Sequence, residues 1–239
     1  MYKQDDDKPQ AVMELVKAYD LLVKGIDDKA HIEVERAYGG IIRAGKGILV
    51  ESIAKHLVEI AWKDLGGKQD RLSLDRQAIK VPLKKEYLER VKSPEVREYI
   101  KKNLPKYYYR LMTDVHVHFN NKLVLVIECK AYTENAMIKR ILVDFTLFNE
   151  MIPKLDFILF QLESQLGGDY GKVAKTIYGS ESTHTLLSYF DIDLNIITLL
   201  EGERKVDMPI HKKEFYKPLK VESVMNAVEA IKSLLHKHL

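Results

Sequence analysis

The chain has 239 residues, 46% of them apolar, enough to bury a sizeable core and to exclude a disordered class. Lys and Arg number 38 against 35 acids, and a net charge of +3 does not by itself argue for a nucleic-acid partner. The single cysteine, Cys129, excludes a disulfide framework and a multi-cysteine metal site, and no apolar run reaches the ~18 residues of a membrane span. The start MYKQDDDKPQ is too acidic and polar for a signal peptide, so a cytoplasmic protein with no membrane partner is expected. Asp5, Asp6 and Asp7 read as a solvated terminus rather than a cation site.

In chain order, apolar spacing through Met13, Val16, Leu21 and Leu22 predicts a helix over 11–26. A second helix is expected over 30–43. Gly45 and Gly47 then interrupt the pattern, and a longer helix over 48–65 carries the stripe Leu49, Ile53, Leu57, Ile60 and Ala61. Gly66 and Gly67 end it. Residues 68–91 are charged, with a short IKVPL that reads as a strand or extended arm. Ser93 and Pro94 start a further helix as N-cap and first helical residue, and it is over by Pro105. Strands follow over 107–119 and 123–130. Thr133 is expected to cap the apolar helix AMIKRILVDFTLFNEMI, which stops at Pro153. Continuous apolar runs at 155–162 and 194–200 read as buried strands. Between them lies a mixed region opened by Gly167 and Gly168, with a helix over 182–190. A terminal amphipathic helix spans 221–239. A hairpin followed by a β-α-β unit predicts a mixed α+β protein, with a central mixed sheet flanked by helices. The whole of 1–239 reads as one domain: a mainly helical part to 105, a core over 106–200 and a C-terminal extension over 201–239.

The stretch TDVHVHFNNKLVLVIECKAY, residues 113–132, places two alternating runs around Asn-Asn-Lys. Val115, Val117 and Phe119 share one face of the first run. Leu123, Leu125, Ile127 and Cys129 share one face of the second. Pairing Phe119 with Leu123 across a three-residue loop matches the two apolar rows. Asp114 then lies opposite Glu128, with Lys130 two residues farther on the same face. Two carboxylates roughly 5 Å apart across a strand pair repel and ask for a cation between them. A hard ion such as Mg²⁺ suits carboxylate oxygens, water and a phosphate, and a lysine beside it can orient water and stabilise a crowded phosphorus centre.

This set resembles the PD-(D/E)xK nuclease superfamily, with Asp114 as the first acid, Glu128 as the second and Lys130 as the lysine. Thr113 stands where the proline of the motif would be. By element order the likeness covers about 48–200; in sequence, the hairpin carries it. The resemblance implies a restriction-endonuclease-like core and phosphodiester hydrolysis with Mg²⁺, for which Mn²⁺ can substitute. Size and architecture look most like a type II restriction endonuclease, which implies a homodimer cutting double-stranded DNA at a specific site. It further implies Glu51 as an additional acid near the metal and the backbone carbonyl of Cys129 as a metal ligand. Thr133, Asn135, Lys139 and Arg140, at the start of the following helix, become candidate DNA contacts, since Asn and Arg read adenine and guanine edges. Lys172, Lys175 and the 180–184 segment are further candidates. The row Tyr107, Tyr108, Tyr109 and Arg110 fits either stacking on bases or a strand with one buried face.

Two other readings stay open. A protein of the same fold could bind DNA without catalysis. Alternatively, Asp114-x-His116-x-His118 resembles the His-x-His strand of zinc-dependent hydrolases, which sits in a (β/α)₈ barrel of ~250 residues. Glu51 also stands four residues before Lys55, the spacing of an ordinary helix ion pair.

Overall fold

The computed structural model describes residues 7–30, 35–167 and 179–239, with side chains described over 9–25, 44–167 and 179–239. Asp5, Asp6, Gly168, Lys172 and Lys175 lie outside the described residues. The elements are α1 (Asp7–Ala30), α2 (Glu35–Asp64), β1 (Leu72–Asp75), β2 (Ile79–Pro82), α3 (Tyr87–Arg90), α4 (Pro94–Lys102), β3 (Tyr108–Leu111), β4 (Val115–Phe119), β5 (Lys122–Glu134), α5 (Asn135–Met151), β6 (Asp156–Gln165), α6 (Glu181–Leu187), β7 (Leu194–Thr198) and α7 (Val221–His236).

The main sheet has five strands in the order β1-β4-β5-β6-β7. β4 runs antiparallel to β1 and β5, while β5, β6 and β7 run parallel. α5 supplies the crossover that the parallel pair β5 and β6 requires. One apolar cluster joins one sheet face to α1, α2 and α7 through Val115, Val117, Ile127, Ile158, Leu57 and Val228. A second joins the other face to α5 through Val126, Phe157, Leu159, Ile138, Leu142 and Phe145. The mixed α+β sheet flanked by helices agrees with the sequence reading.

Four local expectations change. The helices expected over 30–43 and 48–65 are one helix, α2, running through Gly39, Gly40, Gly45 and Gly47. Each interior glycine costs about 1 kcal/mol relative to alanine. Against that, α2 buries Leu49, Val50, Ile53, Leu57, Val58 and Trp62, and each such side chain contributes roughly 1.5–3 kcal/mol. Packing therefore outweighs propensity. The strand expected over 107–119 is two, β3 and β4, in different sheets. β1, which the charged 68–91 stretch hid, forms the edge beside β4. Thr133 is not a cap: β5 runs on to Glu134, which is the N-cap of α5 without a side-chain bond.

Gly66 and Gly67 end α2 as expected. The Gly67 amide donates to Trp62 O at 3.0 Å and the Gly66 amide to Lys63 O at 2.9 Å, with Gly66 at φ +71°. This is a Schellman closure. Gly67 is required for a second reason. A Cβ there would lie 2.1 Å from Trp62 Cε2, in a ring that stacks on Phe119 at 4.3 Å and donates to Lys68 O at 2.9 Å. Gly67→Ala should displace the indole and lower stability by about 1–3 kcal/mol, the usual cost of overpacking. The midpoint of chemical denaturation measures it, and an unchanged midpoint would contradict the close approach.

The β4/β5 hairpin turns on two residues, Asn120 and Asn121, both left-handed at φ 49° and 64°. Such a turn matches the twist of its flanking strands better than the expected three-residue loop. Phe119 consequently pairs with Lys122 and His118 with Leu123. A bulge then takes up one residue, and Val117 pairs with Leu125 and Val115 with Ile127. Leu123 is thereby diverted to the α5-side core, and Val124 joins the α2 side with Leu125. Beyond the bulge the register is the expected one, and it points Asp114 at Glu128.

Candidate active site

Asp114 stands one residue before β4, and Glu128 and Lys130 lie on β5. All three are part-buried at the end of the hairpin away from the turn. The Cys129 amide donates to Asp114 Oδ2 at 2.8 Å, fixing that carboxylate across the strand pair. Lys130 Nζ pairs with Glu128 Oε1, lies 3.7 Å from Asp114 Oδ2 and donates to Cys129 O at 3.2 Å. One ammonium therefore sits among two carboxylates and a carbonyl. The three sequence-predicted residues are brought together, and the Cys129 carbonyl joins them. The Cys129 thiol turns into the α2-side core, and burial pushes its pKa well up.

Burial also raises the Glu128 carboxyl above its ordinary value; Lys130 opposes this and Asp114 adds to it. Glu128 therefore keeps its proton to higher pH than a solvated carboxylate and holds a cation less well on the acid side.

Glu51, on α2, pairs with Lys55 at 2.7 Å, the helix pair its spacing allowed. It also reaches the site through a residue the sequence did not single out. The Arg76 guanidinium lies 3.1 Å from Asp114 Oδ1 and 3.6 Å from Glu51 Oε2, bridging the two acids. Asp144 on α5 was likewise missed. Its carboxyl is raised by burial and lowered by Arg140 and Lys130, so it shares the field of the site. Neither residue stands in a motif. Arg76 is one cation in a charged stretch, and Asp144 is one acid on an apolar helix.

His116 and His118 share the face of Asp114, and Asp75 on β1 pairs in register with His116. Among the described residues these three form one group able to share a metal ion, with ligand atoms within 4.8 Å of one another. His116 Nε2 accepts the Thr113 amide at 3.4 Å, which leaves the ring proton on Nδ1, 3.5 Å from Asp75 Oδ1. His118 Nε2 is 3.2 Å from Asp75 Oδ2. Burial lowers the His116 pKa despite Asp75. A protonated Nδ1 facing a carboxylate describes a polar bracket between β1 and β4 rather than two ligands aimed at zinc. The barrel reading also fails on topology, because β4 is antiparallel to both its neighbours.

Of the four candidate DNA contacts, Lys139 and Arg140 are exposed on α5. Asn135 accepts a hydrogen bond from Thr183 Oγ1 at 2.7 Å, tying α5 to α6. Thr133 is fully buried, and its hydroxyl has no partner among the described residues. In the 180–184 segment, Ser180 caps α6 by accepting the Thr183 amide at 3.2 Å.

No family model matches the chain. Over 195 residues it is 53% identical to the type II restriction enzyme DdeI of Desulfomicrobium norvegicum, a match covering 81% of each chain. The chain belongs to the type II restriction enzymes. Among solved structures, the native BbvCI A2B2 tetramer at low resolution is similar with a TM-score of 0.35 and 9% identity, over 98% of this chain and 92% of that one. Membership of an enzyme family replaces both the silent-binder and the zinc-hydrolase alternatives. In this restriction enzyme the hairpin brings two carboxylates and a lysine together. No described helix is long and apolar enough to cross a membrane.

Proposed function

We propose that this restriction endonuclease hydrolyses both strands of duplex DNA with Mg²⁺, and with Mn²⁺ as a substitute, through Asp114, Glu128 and Lys130. The observation that carries the reading is the Lys130 ammonium lying against Glu128 and 3.7 Å from Asp114. The same two acids are thus arranged around positive charge. Their donors, with the Cys129 carbonyl, are all oxygens, and oxygen donors suit a hard divalent ion. Asp114, Glu128 and Cys129 O would hold the ion, with Glu51 as a further acid. When bound, it would screen the phosphate charge and make a nearby water more acidic.

The chain's own residues do the rest. Lys130 orients the attacking water and stabilises charge developing on the phosphate. The Cys129 amide keeps Asp114 aimed across the strands. Arg76 leaves the acids when a divalent ion competes for them. Lys139 and Arg140 contact phosphates beside the site, while Asn135 and Thr133 position the junction between β5 and α5. One described chain carries one such set, so cutting both strands calls for two copies related by a twofold axis. Residues 1–239 act as a single nuclease domain, working in the cytoplasm where DNA is accessible.

Plasmid digestion tests the proposal. Discrete fragments with uniform ends are expected with Mg²⁺ or Mn²⁺, and intact plasmid with chelator. A smear, or cleavage that survives chelation, would sink it.

A further inference from the structure

Residues 76–112 hold 11 Lys and Arg against four acids, a surplus of seven in a chain whose whole surplus is three. The rest of the protein is therefore net negative. This segment leaves the main sheet after β1 and returns just before Asp114, folding as the two-stranded sheet β2/β3 with α3 and α4. Within the ribbon, Ile79 pairs with Leu111 and Lys80 with Arg110. Ile79, Val81 and Leu111 pack into the α5-side core, and Lys84 pairs with Glu150 on α5 at 2.5 Å. The ribbon is thus anchored to α5.

Its outer face is the unexpected part. Lys80 and Arg110 stand directly opposite each other, both exposed, and like charges so placed destabilise a strand pair. Lys80 Nζ lies 4.6 Å above the Tyr108 ring, and Tyr108 is 41% exposed. Among the described residues, the Arg110 guanidinium has no hydrogen-bond or ion-pair partner. A repulsive pair kept on a rigid ribbon, within a basic segment of an otherwise acidic chain, asks for a polyanion.

We infer that the outer face of the β2/β3 ribbon, through Lys80, Arg110 and Tyr108, grips the phosphate backbone of duplex DNA and sets the scissile phosphate against Asp114, Glu128 and Lys130. The inference rests on the nuclease reading above. A two-stranded ribbon has the width to lie along a DNA groove, and two opposed cations straddle a run of phosphates. Because Arg76 stands three residues before the ribbon and Asp114 three residues after it, a phosphate held on it lies close along the chain to the catalytic acids.

The test uses the full chain and a duplex carrying its mapped cleavage site, with Ca²⁺ replacing Mg²⁺ to measure binding without cutting. The double variant K80A/R110A should bind at least tenfold more weakly. The slope of log affinity against log salt should flatten by about 1.8, the value for two lost phosphate contacts. The fragment pattern in Mg²⁺ should not change. K212A/K213A removes the same charge from two exposed lysines elsewhere and should bind as wild type. K80R/R110K keeps both charges and should restore binding, which separates charge loss from misfolding. Unchanged affinity and slope in K80A/R110A, equal weakening in both Ala variants, or an altered fragment pattern would each overturn the inference. A wild-type protein that neither binds nor cuts DNA would instead overturn the nuclease reading on which it rests.

Discussion

Lys130→Ala should lower cleavage by at least 10²–10³-fold, roughly the loss of one charge-stabilising contact worth 2.7–4 kcal/mol. Among the described residues the lysine is the one ammonium in contact with Glu128 and close to Asp114. Its loss removes the group proposed to orient water and stabilise the phosphate, while both carboxylates remain. Duplex binding in Ca²⁺ should therefore persist. A second effect follows from the same contacts. Without Lys130, Glu128 loses its cation and Asp114 keeps Arg76, and burial already disfavours the charged form of Glu128. Mg²⁺ should then raise the melting temperature of Lys130→Ala by more than it raises that of wild type, because ligand binding to the folded state alone is stabilising. Full activity in Lys130→Ala would remove the lysine from the mechanism. Loss of DNA binding together with cleavage would make its role structural.

Asp114→Asn should also abolish cleavage in Mg²⁺, by another route. The asparagine carbonyl can still accept the Cys129 amide that Asp114 Oδ2 now takes at 2.8 Å, so the strand pair should hold. What goes is the negative charge that binds a cation and pairs with Arg76 at 3.1 Å. Cleavage should return in part at high Mn²⁺, which binds nitrogen and oxygen ligands more tightly than Mg²⁺. DNA affinity should stay level or rise, since one negative charge near a phosphate is removed. Circular dichroism separates this from unfolding. Undiminished cleavage at low Mg²⁺ would dismiss Asp114 as a metal ligand. His116→Ala, which removes part of the bracket to Asp75, should have the smaller effect of the three.

The core of the site was legible because its signal is local. Side chains alternate along a strand with a period of two, so Val115, Val117, Leu125 and Ile127 determine which face carries Asp114 and Glu128. The turn was read one residue too long, yet the register at Asp114 survived. The bulge between Val117 and His118 takes up the difference before the strands reach Asp114 and Glu128. Asn120 and Asn121 can both adopt the left-handed backbone, and that choice between two turns depends on strand twist, which composition does not report.

By itself, the sequence determined the facing acids, the lysine beside them, the strand–helix–strand crossover through α5 and the glycine closure of α2. Each is encoded within a few residues by alternation, periodicity or a backbone conformation that glycine alone tolerates well. Tertiary structure alone decided the rest. Pairing with β4 makes a strand of Leu72–Asp75, and Asp75 meets His116 across 41 positions of chain because of it. Arg76 bridges Glu51 and Asp114, and the three come from separate stretches of the chain. α2 passes unbroken through its glycines because the sheet it covers contributes more than propensity removes. Lys80 meets Arg110 only when residues 76–112 fold back as a ribbon. Such contacts arise between residues far apart in the chain, where neither spacing nor propensity specifies which side chain will be the neighbour.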